Sequence, residues 1–103
     1  HDRDAVHRVG AGDDEAEGYF LRALAEHEAR VRAAPDDPVA RTGLARGEGN
    51  LALVYFGRGQ TDRAEARYDR AVAVEAELLA RFPDDPAYRT DAAGTQVNLG
   101  LLY

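Results

Sequence analysis

The chain is expected to be all-α, on three observations. Apolar residues recur at three- and four-residue steps through most of its 103 residues, the spacing that lines one face of a helix. No stretch alternates apolar and polar residues long enough to make a strand. A tetrapeptide, Pro35-Asp36-Asp37-Pro38, returns as Pro83-Asp84-Asp85-Pro86 at a spacing of 48 residues, which marks a repeated supersecondary unit. The same shift carries Asn50-Leu51, Leu53 and Tyr55 onto Asn98-Leu99, Leu101 and Tyr103, and Asp14, Ala16 and Glu17 onto Asp62, Ala64 and Glu65.

Each element has its own local reasons. Residues 1–12 read as the remnant of a preceding helix A and its turn. Residues 13–34 read as helix B of a first, partial repeat, with Ala16, Phe20, Ala23, Leu24 and Val31 on its apolar stripe. A complete repeat spans 35–82. Its helix A, 38–56, starts with Asp37 as amino-terminal cap and Pro38 in the opening turn, where a missing N–H costs nothing. Ala40, Leu44, Gly47, Leu51, Val54 and Tyr55 form its buried face. Gly57-Arg58-Gly59-Gln60 breaks the helix, and Thr61 or Asp62 is placed to cap the next. Helix B, 62–81, has the apolar stripe Ala64, Tyr68, Ala71, Val72, Leu78, Leu79 and Phe82, running to the stop at Pro83, with Glu77 and Arg81 spaced for a surface ion pair. Residues 83–103 are helix A of a third, truncated repeat. The short turns force antiparallel helix pairs.

Composition removes several classes of function. With no Cys, disulfides, thiolate zinc sites and cysteine nucleophiles are excluded. The net charge is −6 and all 13 basic residues are Arg, scattered along the chain, which argues against nucleic acid as a partner. No apolar run approaches the roughly 20 residues of a membrane span. A soluble, cytoplasmic segment of a longer protein is the expectation, since the chain opens on His and contains no Met.

Candidate chemistry is thin. Gly47-Glu48-Gly49-Asn50-Leu51-Ala52 fits the loose dinucleotide pattern, but no strand precedes it and it lies within a helical stripe. There its small residues serve close approach of a neighbour, while Gly43, Gly47 and Gly49 each weaken the helix by about 1 kcal/mol relative to Ala. His27 lies between Leu24 and Val31 without a catalytic companion, so a solvated or interhelical role is expected. Asp36-Asp37 and Asp84-Asp85 precede Pro and read as caps, and His1, Asp2 and Asp4 read as a frayed terminus. The chain has no Ser, and no His neighbours Thr42 or Thr90, so nucleophilic catalysis lacks its parts. No catalytic residue, metal site or cofactor is expected, and the chain is not read as an enzyme.

Asn50-Leu51-Ala52 with Tyr55, the turn residue Gly59, and then Ala64, Tyr68 and Ala71 resemble the tetratricopeptide repeat signature, as does Asn98-Leu99-Gly100 with Tyr103. The unit departs from that family in its length of 48 residues and in lacking the early aromatic of helix A, with Glu48 and Gln96 near its place. It is similar to the extended repeats in regulatory regions of some bacterial multidomain proteins, including Ser/Thr kinases. The resemblance implies stacked helix pairs in a right-handed superhelix, a scaffold whose helix A surfaces grip a protein or peptide. Arg46, Asn50, Leu53 and Phe56 would face that groove, with Gly94, Asn98 and Leu101 in the next unit. Asn50 and Asn98 would either bind a peptide backbone or bond between helices. The family's carboxylate clamp is not expected, because Leu53 and Leu101 occupy its Asn place and the chain has no Lys. The alternatives are a structural spacer or self-assembly segment, and a regulatory arm of a kinase. Self-association is expected through two uncovered stripes: Phe20, Leu24 and Val31 at one end, Leu99, Leu102 and Tyr103 at the other.

Overall fold

The computed structural model describes the backbone of residues 2–103 and the side chains of residues 14–103. The chain folds as four helices: α1 Asp2–Ala33, α2 Pro38–Gly57, α3 Thr61–Arg81 and α4 Pro86–Leu101. No strand occurs among the described residues, so the class is all-α. None of the helices is long and apolar enough to cross a membrane, among the described residues.

The repeated tetrapeptide makes the same start twice. Asp37 accepts a hydrogen bond from the Val39 N–H at 2.9 Å, and Asp85 accepts one from the Ala87 N–H at 2.9 Å. One orphan amide of each first turn is thereby satisfied. Behind each cap a threonine hydroxyl donates to the proline carbonyl four residues back, Thr42 to Pro38 and Thr90 to Pro86, both at 2.8 Å. Between α2 and α3 the chain reverses through Gly59, whose φ of +76° lies in the left-handed region that glycine enters without steric cost.

Three expectations are corrected. The helix expected at 13–34 begins at Asp2 and runs unbroken through residues 10–12, where a turn was expected. Gly10 and Gly12 weaken a helix without forbidding it, whereas both Pro-Asp-Asp-Pro turns carry prolines that stop one. Neither Thr61 nor Asp62 caps α3: Gln60 holds that position without a side-chain bond, and Asp62 lies in the first turn, where its charge still favours the positive helix end. Glu77 pairs with Arg41 of α2, and Arg81 reaches Asp36 at 3.6 Å; partners across the helix boundary displace the expected pair along α3. The side chains of His1, Asp2 and Asp4 lie outside the described residues.

Successive helices are antiparallel. Glu17 meets Tyr55 and Leu24 meets Gly47 along α1 and α2; Arg67 meets Glu48 and Glu77 meets Arg41 along α2 and α3; Thr95 meets Glu75 and Tyr103 meets Glu65 along α3 and α4. The Tyr55 hydroxyl donates to Glu17 at 2.8 Å and the Tyr103 hydroxyl donates to Glu65 at 2.5 Å, one clasp made twice at the repeat spacing. Leu24, Ala40, Ala45, Leu51, Ala52, Tyr55, Ala64, Tyr68, Ala71 and Leu78 form the buried core. Fully burying a side chain the size of Leu51 or Leu78 stabilises the fold by about 1.5–3 kcal/mol.

Two glycines of α2 let α1 come close. A Cβ on Gly43 would stand 2.5 Å from the His27 ring, and one on Gly47 would stand 3.1 Å from Leu24. The helix cost of these glycines is therefore offset by packing. Of the amino-terminal stripe expected to stay open, Leu24 is 2% exposed and Phe20 packs on the core, while Val31 is half-buried. By contrast α4 has no fully buried residue, and Tyr103 is 84% exposed.

Candidate functional site

A cleft of about 330 Å³ opens between α2 and α4, with α3 as its floor. Arg46, Asn50 and Leu53 line it from α2, and Gly94 and Asn98 line it from α4. The antiparallel stacking of α2, α3 and α4 brings these positions together, because the two outer helices both lie against α3. Of the residues expected on a groove, Phe56 and Leu101 do not line this cleft. They are exposed beyond its carboxyl-terminal end, Leu101 at 69%.

The side-chain amides of Asn50 and Asn98 make no hydrogen bond among the described residues, so the interhelical role open to them in the sequence is not used. Arg46 donates from Nε and Nη2 to one oxygen of Asp91, at 3.3 and 3.2 Å, and so ties α2 to α4 across the cleft mouth. An ion pair this open to water contributes little stability, about 0–1 kcal/mol. Its larger effect is to fix which charge faces the opening.

Sequence reasoning missed the floor. Glu75 is 6% exposed and lines the cleft. One oxygen accepts from the Thr95 hydroxyl at 3.0 Å, and Oε1 is buried without a partner. Burial, helped by the negative charge of Asp91, pushes its carboxyl up to about 7, against the pull of the Thr95 bond. Glu48, 3% exposed, is also buried, but Arg67 stands 3.3 Å away. Burial raises its pKa and Arg67 opposes that rise. Both carboxylates sit in register with apolar stripes, Glu75 between Ala71 and Leu78 and Glu48 between Leu44 and Leu51. A charged residue at a core position of a helix was the available signal.

A second, wider hollow of about 730 Å³ lies at the junction of α1 and α2, bordered by His27, Arg30, Val39, Gly43, Arg46 and Tyr88. It is the repeat-equivalent of the acidic floor, since His27 occupies in the first copy the place that Glu75 holds in the second. Arg46 borders both hollows. Among the described residues no group of three or more His, Asp or Glu is arranged to hold a metal ion. Compared with protein-family models, curated proteins and solved structures, the chain matches none of them.

Proposed function

We propose that the chain is a non-enzymatic binding module, a stack of helix pairs of the tetratricopeptide kind within a larger regulatory protein, which holds an extended peptide in the cleft between α2 and α4. The observation that carries this reading is the pair Asn50 and Asn98. They are 48 residues apart, line one cleft, and spend neither amide on the fold. A primary amide both donates and accepts, as a peptide backbone does, so two unspent amides at repeat spacing suit an extended chain that passes both. Leu53, half exposed between them, and Phe56 and Leu101 beyond offer apolar contact to its side chains.

The test is selection of random heptapeptides displayed on phage against the immobilised chain, followed by titration of a selected peptide. An Asn50→Ala, Asn98→Ala double variant is expected to weaken binding at least tenfold with its helical circular dichroism unchanged. Equal affinity for both proteins would remove the cleft from the reading and leave the alternative, a spacer that carries nothing specific there.

A further inference from the structure

Glu75 is a buried charge without a counter-ion. Glu48, its counterpart on α2, has Arg67; Glu75 has a hydroxyl, an acidic neighbour and an oxygen with no donor. A carboxylate left this way is costly unless a cation or several N–H donors reach it. The charged groups around it on the cleft are Asp91 of α4 and Arg46 of α2, and Arg46 is turned to Asp91. The cleft thus holds two carboxylates against one guanidinium.

There is also room for an entering group. Gly49 and Gly94 line the cleft from opposite helices, and a Cβ built on either would meet nothing within 4 Å. The space that two side chains would fill is open and leads toward the Glu75 floor. A slender side chain that ends in N–H donors and a positive charge is the group that this shape and this charge both admit. The net charge of −6 favours the approach of a basic partner over an acidic one.

We infer that the cleft between α2 and α4 accepts an arginine or lysine side chain of a bound peptide, with Glu75 as its counter-ion at the floor. The inference rests on the reading of this face as a peptide groove and adds the chemistry of one peptide position. Asn50 and Asn98 hold the backbone, the gap beside Gly49 and Gly94 admits the side chain, and the Glu75 Oε1 receives the donor it lacks. The bound cation requires the ionised carboxylate. Because burial holds the Glu75 carboxyl near 7 in the empty cleft, the competent fraction falls with pH, and binding weakens about tenfold from pH 8 to pH 6.

The same heptapeptide library, panned against the wild-type chain, tests this. Wild type is expected to select peptides with Arg or Lys at one fixed position. A synthetic peptide from that set is expected to lose at least tenfold in affinity on Glu75→Gln, on Gly94→Leu, and on replacement of its basic residue by norleucine. Glu75→Gln is near-isosteric, and Gly94→Leu blocks the gap without touching the charge, so a folding failure in one leaves the other to decide. Peptides selected without a basic preference, or bound equally by wild type and Glu75→Gln, would overturn the inference and leave the groove reading standing. No selected peptide at all would overturn both.

Discussion

At the junction of α1 and α2, His27 lies over Gly43 and Leu24 over Gly47. Forty-eight residues on, the junction of α3 and α4 holds Glu75, Asp91, Val72 and Thr95 in the same four places. The first junction lets α1 approach over two glycines and buries Leu24 to 2% exposure, although a hollow opens beside His27 and Gly43. The second puts a carboxylate where the first has a glycine and a hydroxyl where the first has another, and no residue of α4 is fully buried. Caps and clasps are nevertheless the same in both copies. The repeat thus separates two tasks: the ends of the helices set the geometry, while the middle of each junction is free to pack or to present charge.

The largest expected contrast is in packing. Leu24→Ala should cost about 2–5 kcal/mol, as truncation of a fully buried leucine does, and the equivalent Val72→Ala, half-buried, about 1 kcal/mol. Urea denaturation of the two variants checks this, and equal losses would erase the contrast. Next comes charge. Glu75 has a folded pKa of about 7 against 4.5 for the free side chain, so the folded state binds its proton more tightly than the unfolded state does. Its contribution is therefore most favourable below about 4.5 and is lost as pH rises toward 7. Glu75→Gln should be the more stable protein at pH 8, by up to about 3 kcal/mol, with the advantage gone near pH 4. A pH-independent difference between the two would mean that the carboxyl is not shifted.

Backbone substitutions give smaller effects of opposite sign. Gly43→Ala should destabilise by about 1–3 kcal/mol, because the new methyl meets the His27 ring, and His27→Ala in the same chain should restore most of the loss. At the second junction Gly94→Ala meets nothing and should stabilise by as much as about 1 kcal/mol through helix propensity alone. Melting temperatures of the two single variants moving in the same direction would break the comparison at its smallest term.

Much of the frame was legible in the sequence, because its signals are local. Asp37 with Pro38 and Asp85 with Pro86 mark helix starts that the structure has at the same residues, and the stripe residues Leu51, Tyr55, Ala64, Tyr68 and Ala71 are all buried. What could not be read depends on which helix faces which. Glu48 and Glu75 stand in register with apolar stripes, but only the facing helices show that the first has a guanidinium partner and the second has an oxygen without a donor; the small residues around Gly47 announce a close neighbour, and only the fold shows that it is α1. The cleft was half legible: Arg46, Asn50, Leu53 and Asn98 share it, whereas Phe56 and Leu101 fall outside it.

The twin clasps, Tyr55 to Glu17 and Tyr103 to Glu65, limit how such a chain can change in length. Each hydroxyl must arrive at its carboxylate after a fixed number of residues from the capping aspartate. A single residue inserted between Asp37 and Tyr55 would swing everything beyond it by about 100°, carrying Tyr55 off the Glu17 carboxylate and Leu51 out of the core together. Deletions there would do the same in the opposite sense. Length variation is thereby confined to the turns around Gly59 and the Pro-Asp-Asp-Pro segments, where no helical phase is carried across. A change that copies or removes all 48 residues at once keeps both clasps in phase.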